Sequence, residues 1–180
     1  MTLLFSVILP YLLGSLNGAY YITKFLKKKD IRTLESGNAG ATNAGRVLGK
    51  KGFLLTVLID AVKTWIALYL GMLWFGVSEW VMFSAILFVL LGHLYPVHLQ
   101  FKGGKGIVVY LAGALWVEPL SLAAAAIVMG ITFGLTRKYT ISGFLAISMV
   151  PIVLFWLYGV TVLPMGMSIA FIVLLIAHQK

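Results

Sequence analysis

The run WVMFSAILFVLLGHLYPVHLQF, residues 80–101, contains no Asp, Glu, Lys or Arg. A helix needs about 20 apolar residues to cross a hydrocarbon layer roughly 30 Å thick, and this run supplies them. Working outward, apolar runs of the same kind recur at roughly 2–25, 53–76, 105–117, 119–136, 140–158 and 160–178. The stretch 105–117 is short, as expected of a half-span or a steeply packed helix. The N-terminal run has no basic leader and no small-residue cleavage site, so it reads as a retained first helix. The expected fold is an all-α polytopic membrane protein with about seven transmembrane helices, forming one domain over 1–180.

Composition agrees. The chain has 180 residues, 61% of them hydrophobic and only 11% charged, which is too apolar for a soluble domain. Cysteine is absent, which removes disulfides, a thiolate nucleophile and Cys-based metal sites. The net charge of +9 is carried by short loops, so a nucleic-acid partner is not expected. With the N-terminus outside, one side of the membrane receives Lys24, Lys27, Lys28, Lys29, Arg32, Arg46, Lys50, Lys51, Lys102, Lys105, Arg137, Lys138 and Lys180. The other side holds Glu79 and Glu118 but no Lys or Arg. This segregation predicts an outside N-terminus and a cytoplasmic C-terminus. Trp74, Trp80, Trp116 and Trp156 then fall at the outer interface, as an aromatic belt.

Two polar segments share the basic side. The first is Ser36-Gly37-Asn38-Ala39-Gly40-Ala41-Thr42-Asn43-Ala44-Gly45-Arg46. Glycines allow backbone N–H groups to face an anion, and arginine can grip a phosphate bidentately. A flexible cytoplasmic turn is the plain alternative, but a turn does not require Asn38, Thr42, Asn43 and Arg46 together. The second segment ends in Lys102-Gly103-Gly104-Lys105-Gly106 and opens a helix, where free N–H groups and Lys105 favour an anion. Its plain alternative is a positive-inside anchor. It is not a Walker A loop, because the spacing and the Ser/Thr after Lys are missing, so NTP hydrolysis is not expected.

Asp60 and Lys63 are three apart and share a helix face. Each ion inside a membrane costs about 2.5–3.5 kcal/mol on insertion scales, so a structural ion pair is expected. His93 and His98 flank Pro96 without an accompanying carboxylate cluster, so no metal site is expected, and His93 reads as polar packing. His178 closes the last helix at the depth of the two loops and is a candidate site residue. Asn17 and Ser15 read as interhelical hydrogen-bonding groups. Gly14-x-x-x-Gly18, Gly130-x-x-x-Gly134 and Ala123–Ala126 read as packing faces. No carboxylate pair for glycoside chemistry, Gly-x-Ser-x-Gly elbow or His-x4-Asp motif is present. The residues alone leave three classes open: an enzyme acting on phosphorylated metabolites, a small-anion transporter, and a scaffold subunit. Transport predicts matching polar groups on both faces, and a scaffold leaves residues 36–46 without a purpose.

Residues 36–49 and Gly92-His93-Leu94-Tyr95-Pro96 through Phe101-Lys102-Gly103-Gly104-Lys105-Gly106 resemble the two signatures of the bacterial acyl-phosphate:glycerol-3-phosphate acyltransferases (the PlsY family). Asp60, Lys63 and His178 fit the same pattern, and the resemblance runs in order along the chain. The family commonly shows Thr, Gly and Pro where this chain has Val109, Thr64 and Asn17, and continues past the terminal His to an Asn and a charged tail. The resemblance implies a seven-helix inner-membrane enzyme with its site facing the cytoplasm. It implies acyl transfer from acyl phosphate to the sn-1 hydroxyl of glycerol 3-phosphate, without cofactor or metal. On this reading Ser36, Asn38, Thr42, Asn43 and His178 are the catalytic candidates. Backbone N–H groups near Gly37–Gly40 and Gly103–Gly104 are expected to hold the donor's phosphate. Ser36, Arg46, Lys105 and His178 are expected to hold glycerol 3-phosphate.

Overall fold

The computed structural model describes residues 2–179, so Lys180 lies outside the described residues. The described chain is helical throughout: α1 Thr2–Ser15, α2 Gly18–Lys27, α3 Ala41–Phe75, α4 Glu79–Leu94, α5 Ile107–Val117, α6 Pro119–Thr136, α7 Tyr139–Tyr158 and α8 Val162–His178. Single 3-10 turns lie at Ile31–Thr33 and Val97–Leu99. Five stretches are long and apolar enough to cross a membrane: Phe5–Lys27, Ala41–Phe75, Glu79–Leu99, Pro119–Thr136 and Tyr139–Tyr158. Ile107–Val117 and Val162–His178 are shorter apolar helices. At 1.5 Å per residue, α5 reaches only about half the hydrocarbon thickness.

The first apolar run is not one continuous helix. It breaks after Ser15, and Asn17 restarts the chain as the cap of α2, its side-chain oxygen accepting from the Tyr20 N–H at 2.9 Å. Asparagine caps well because its short amide replaces the carbonyl missing at a helix start. The second run starts earlier than expected, because helix begins at Ala41 inside the polar segment. Gly49, at φ +72°, interrupts it. That left-handed conformation favours glycine, and it divides a short site-forming helix from the long membrane portion.

Packing is closest where α1 crosses α4. A methyl group at Gly14 would run into the Val89 carbonyl, and one at Gly92 into the Tyr11 carbonyl. At Gly18 a Cβ would stand 3.2 Å from Ile59. Behind this contact lies the core of α3, α4, α5, α7 and α8, centred on Leu68, Ile86, Leu90, Tyr110, Leu154 and Met167. The small-residue expectation fails on α6. Nothing lies within 4 Å of a Cβ at Gly130 or Gly134, and in the Ala123–Ala126 run only Ala125 is buried. α6 packs mainly on α7 and turns the rest of its surface outward. Small residues there meet open space, not a partner helix. Trp74, Trp80, Trp116 and Trp156 are exposed near the α3, α4, α5 and α7 ends away from the two polar segments.

These glycines differ in a measurable way. Gly92→Ala forces overpacking at α1–α4 and lowers stability by about 1–3 kcal/mol, read as a lower unfolding temperature in detergent. Gly130→Ala meets no neighbour and leaves stability unchanged or raises it slightly, because Gly is a weak helix former.

Candidate functional site

The two polar segments fold against each other at one end of the bundle. α2 ends at Lys28, and Asp30 then caps the turn Ile31–Thr33 by accepting the Arg32 N–H at 2.9 Å. The Arg32 guanidinium returns to the same carboxylate, Nη2 to Oδ2 at 2.6 Å and Nε to Oδ1 at 3.0 Å. This side-chain hydrogen bond is the main reason the Asp30 carboxyl is held below its usual range. Arg32 Nη1 donates to the Leu99 carbonyl at 2.6 Å, tying the first segment to the second. Tyr21 adds another tie, its hydroxyl 3.1 Å from His98 Nε2.

Asn43 closes the first segment on itself. Its Oδ1 accepts from the Ser36 N–H at 3.1 Å, and its Nδ2 donates to the Leu34 and Ile31 carbonyls at 3.1 and 3.3 Å. The side chain is buried and fully engaged, which assigns it to the shape of the segment and leaves it no donor for an oxyanion. Gly37 takes φ +71°, a turn that a side chain would strain.

The glycine N–H groups require a correction. Gly37 donates to the Leu34 carbonyl, Gly40 to Asn38, Gly103 to Leu94 and Gly104 to His93, at 2.9–3.1 Å. These four N–H groups therefore stabilise the turns and are not directed at an anion. The glycines are needed for close approach instead: a Cβ at Gly103 would run into the His93 carbonyl, and one at Gly104 would come within 2.6 Å of the Ala39 carbonyl. Among the described residues, the backbone donors left without a partner here are the N–H groups of Asn38 and Ala39, between the two glycines, and the first-turn N–H groups of α3 and α5. The caps Gly40 and Gly106 supply no side-chain hydrogen bond to them.

Around these helix starts stand polar side chains without internal partners. Among the described residues Ser36, Asn38, Thr42, Arg46 and Lys105 make no side-chain hydrogen bond or ion pair. Ser36, Thr42 and Arg46 are exposed, and Asn38 and Lys105 are half-buried. Thr42 and Arg46 are one turn apart on α3 and share a face. His178, at the end of α8, lies edge-on to Phe144 with ring centroids 4.8 Å apart. Its Nδ1 is buried with no hydrogen-bond partner among the described residues, and Lys105 is close enough to act on it electrostatically. A buried ring nitrogen without a partner is costly for folding alone.

Asp60 and Lys63 are 1% and 4% exposed, with Lys63 Nζ 2.7 Å from Asp60 Oδ1. They lie behind the site, at the break between α1 and α2. Lys63 also donates to the carbonyls of Gly14 and Leu16 at 3.0 and 2.9 Å, and lies 2.9 Å from His93 Nδ1. His93 therefore belongs to this buried cluster, which goes beyond general packing. The Gly92-His93 step just before the second segment was the available sequence signal. The Arg32–Asp30 tie gave none, since charged residues in a basic loop usually face water.

The fold and these groups define a helical membrane protein with unpartnered polar and basic side chains gathered at one end. The family described as glycerol-3-phosphate acyltransferase matches residues 4–180. A glycerol-3-phosphate acyltransferase 1 of Desulfitobacterium hafniense is 40% identical over 177 residues, covering 98% of this chain and 87% of the relative. One of Bacillus cereus is 37% identical over 173 residues, covering 94% and 92%. The crystal structure of PlsY, an integral membrane glycerol 3-phosphate acyltransferase, in its glycerol 3-phosphate form superposes with a TM-score of 0.86 at 33% identity, covering 98% of this chain and 88% of that one. Its lysophosphatidic acid form gives 0.84 at 31%. The chain belongs to the glycerol-3-phosphate acyltransferase family and is an acyltransferase.

The split between engaged and unpartnered groups has separable consequences. Asn43→Ala strands the Ser36 N–H and two carbonyls and costs about 1–3 kcal/mol of stability. Thr42→Ala removes an exposed hydroxyl with no partner and stays within about 0.5 kcal/mol of the parent, yet lowers acyl transfer. Thermal unfolding and turnover measured on both proteins check this.

Proposed function

We propose that the chain transfers an acyl group from acyl phosphate to the sn-1 hydroxyl of glycerol 3-phosphate, giving lysophosphatidic acid and inorganic phosphate for phospholipid synthesis. The observation that carries this reading is the set of unpartnered groups at the starts of α3 and α5: Ser36, Arg46, Lys105, His178 Nδ1 and the free first-turn N–H groups. Two phosphates must be held side by side for the reaction, and uncapped helix starts together with the cations Arg46 and Lys105 suit that need. In the family the glycerol 3-phosphate and lysophosphatidic acid forms of PlsY bear substrate and product names.

An acyl phosphate is a mixed anhydride with a good leaving group, so no covalent enzyme intermediate is required. The hydroxyl oxygen attacks the carbonyl carbon, a tetrahedral oxyanion forms, and the bond to the phosphate oxygen breaks. The hydroxyl proton passes either to an oxygen of a bound phosphate or to His178. Ser36, Arg46, Lys105 and His178 hold glycerol 3-phosphate. The donor's phosphate lies on the N–H groups of the helix starts, which replace Gly37, Gly40, Gly103 and Gly104 in that role. Asn38 and Thr42 supply donors towards the oxyanion, while Asn43 keeps the segment in shape. The charge segregation supports seven spans with the N-terminus outside, and a site facing the cytoplasm of a bacterial inner membrane. α5 and α8 then complete the seven. The acyl chain lies in an apolar groove open to the bilayer.

Purified protein given palmitoyl phosphate releases phosphate only when glycerol 3-phosphate is present, and lysophosphatidic acid appears in equal amount. Release without glycerol 3-phosphate, or none at all, rejects the reaction. Chelation of divalent metals leaves the rate unchanged. His178→Asn lowers turnover at least about a hundredfold; near-normal turnover removes His178 from the proton path and leaves the phosphate oxygen as acceptor.

A further inference from the structure

His93 is 3% exposed, and its ring joins two parts of the fold. On one edge Nδ1 faces Lys63 Nζ at 2.9 Å. Lys63 is the cation of the ion pair with the Asp60 carboxylate, 2.7 Å away. An ammonium ion has only donors, so Nδ1 must accept and the ring proton must sit on Nε2. On the other edge the ring packs on Gly104: a Cβ there would run into Nε2 and would stand 2.6 Å from the Ala39 carbonyl oxygen. The ring edge carrying Nε2 thus lies against Gly104, where the second segment meets Ala39. Ala39 is held from the other direction, its carbonyl accepting from Asn17 Nδ2 at 2.9 Å.

Both segments are therefore referenced to the break between α1 and α2. Asn17, at the break, fixes Ala39. Lys63, bonded to the carbonyls at the break, orients His93, and His93 abuts Gly104 next to Lys105. Lys63 does not depend on His93 in return. Its three N–H groups face four acceptors within 3.0 Å, Asp60 Oδ1, the Gly14 and Leu16 carbonyls and His93 Nδ1, so each N–H keeps a partner when the ring is lost.

We propose that His93 is a positioning residue: locked by Lys63 as the Nε2–H tautomer, it sets the spacing of Gly104–Lys105 from Ala39 and so the separation of the two anion-binding helix starts. The proposal rests on the function given above, and adds a residue that contacts no substrate.

The tautomer is read directly in wild-type protein with 15N-labelled histidine in detergent micelles, where His93 shows a protonated Nε2 and an unprotonated Nδ1 at pH 7. His93→Asn keeps an acceptor for Lys63 but withdraws the edge at Gly104. Its unfolding temperature stays near that of the parent. Its kcat/KM for glycerol 3-phosphate falls roughly ten- to hundredfold, as a misplacement of about 1 Å produces, mainly through KM, and inorganic phosphate protects it less against thermal unfolding. His93→Gln, which can place a donor near the Nε2 position, recovers most of the loss. A proton on Nδ1, or a folded His93→Asn protein with parental KM and parental phosphate protection, overturns the proposal. If His93→Asn fails to fold, independence from Lys63 is wrong and the proposal falls with it. A wild-type enzyme that does not turn over glycerol 3-phosphate rejects the functional reading, while the tautomer and phosphate protection still decide the role of His93.

Discussion

The buried ammonium of Lys63 is the constraint on which the arrangement depends. Breaking a helix within an apolar layer exposes backbone groups that no water can satisfy, at several kcal/mol each. Here the carbonyls of Gly14 and Leu16 accept from Lys63, and the Gly18 N–H points at Asp60 Oδ1 at 3.3 Å. The cation serves the end of one helix and the carboxylate the start of the next. Because the two charges lie one turn apart on α3, they neutralise each other in the same step that fastens the break to α3. Without the pair the break would be too costly, and without the break Asn17 could not turn its amide to Ala39.

From that point outward, polar groups divide into two kinds. Asn17, Asn43, Arg32, Asp30, Asp60 and Lys63 have partners for their hydrogen-bonding groups within the protein. Ser36, Asn38, Thr42, Arg46, Lys105 and His178 Nδ1 do not, among the described residues. The engaged groups hold the backbone that carries the unpartnered ones, so the helix starts are in place before any ligand arrives. On the proposed function this order matters, because helix-start donors already in place do not have to reorganise as the oxyanion develops.

The all-helical membrane class was legible because apolar runs are a one-dimensional signal. Residues 119–136 were delimited as the structure has them, since Pro119 opens α6 and Arg137–Lys138 follow it. The break at Asn17 was not legible. A lone Asn in an apolar run looks like an interhelical contact until the distant Ala39 and Lys63 are brought beside it. The start of α3 at Ala41 was hidden by its glycines and small polar residues, which weigh against helix locally and are overridden by the Asn43 bonds and by packing. On α6 the same spacing that marks real contacts at Gly14 and Gly18 marked none at Gly130 and Gly134, because spacing records a face and not what lies opposite.

The glycines of the two segments carry the widest lesson about such motifs. A glycine-rich loop beside a lysine suggests backbone N–H groups wrapped around phosphate. Here the N–H groups of Gly37, Gly40, Gly103 and Gly104 are already bonded within the turns. What glycine supplies is the absence of a side chain. At 103 it lets the second segment lie on the His93 carbonyl, and at 104 it lets the segment reach the His93 ring and the Ala39 carbonyl. That closeness brings the start of α5, with Lys105, beside the start of α3, with Thr42 and Arg46. On the proposed function the anion is met by helix ends and side chains, and the glycines act one step removed, by deciding how near those ends can come.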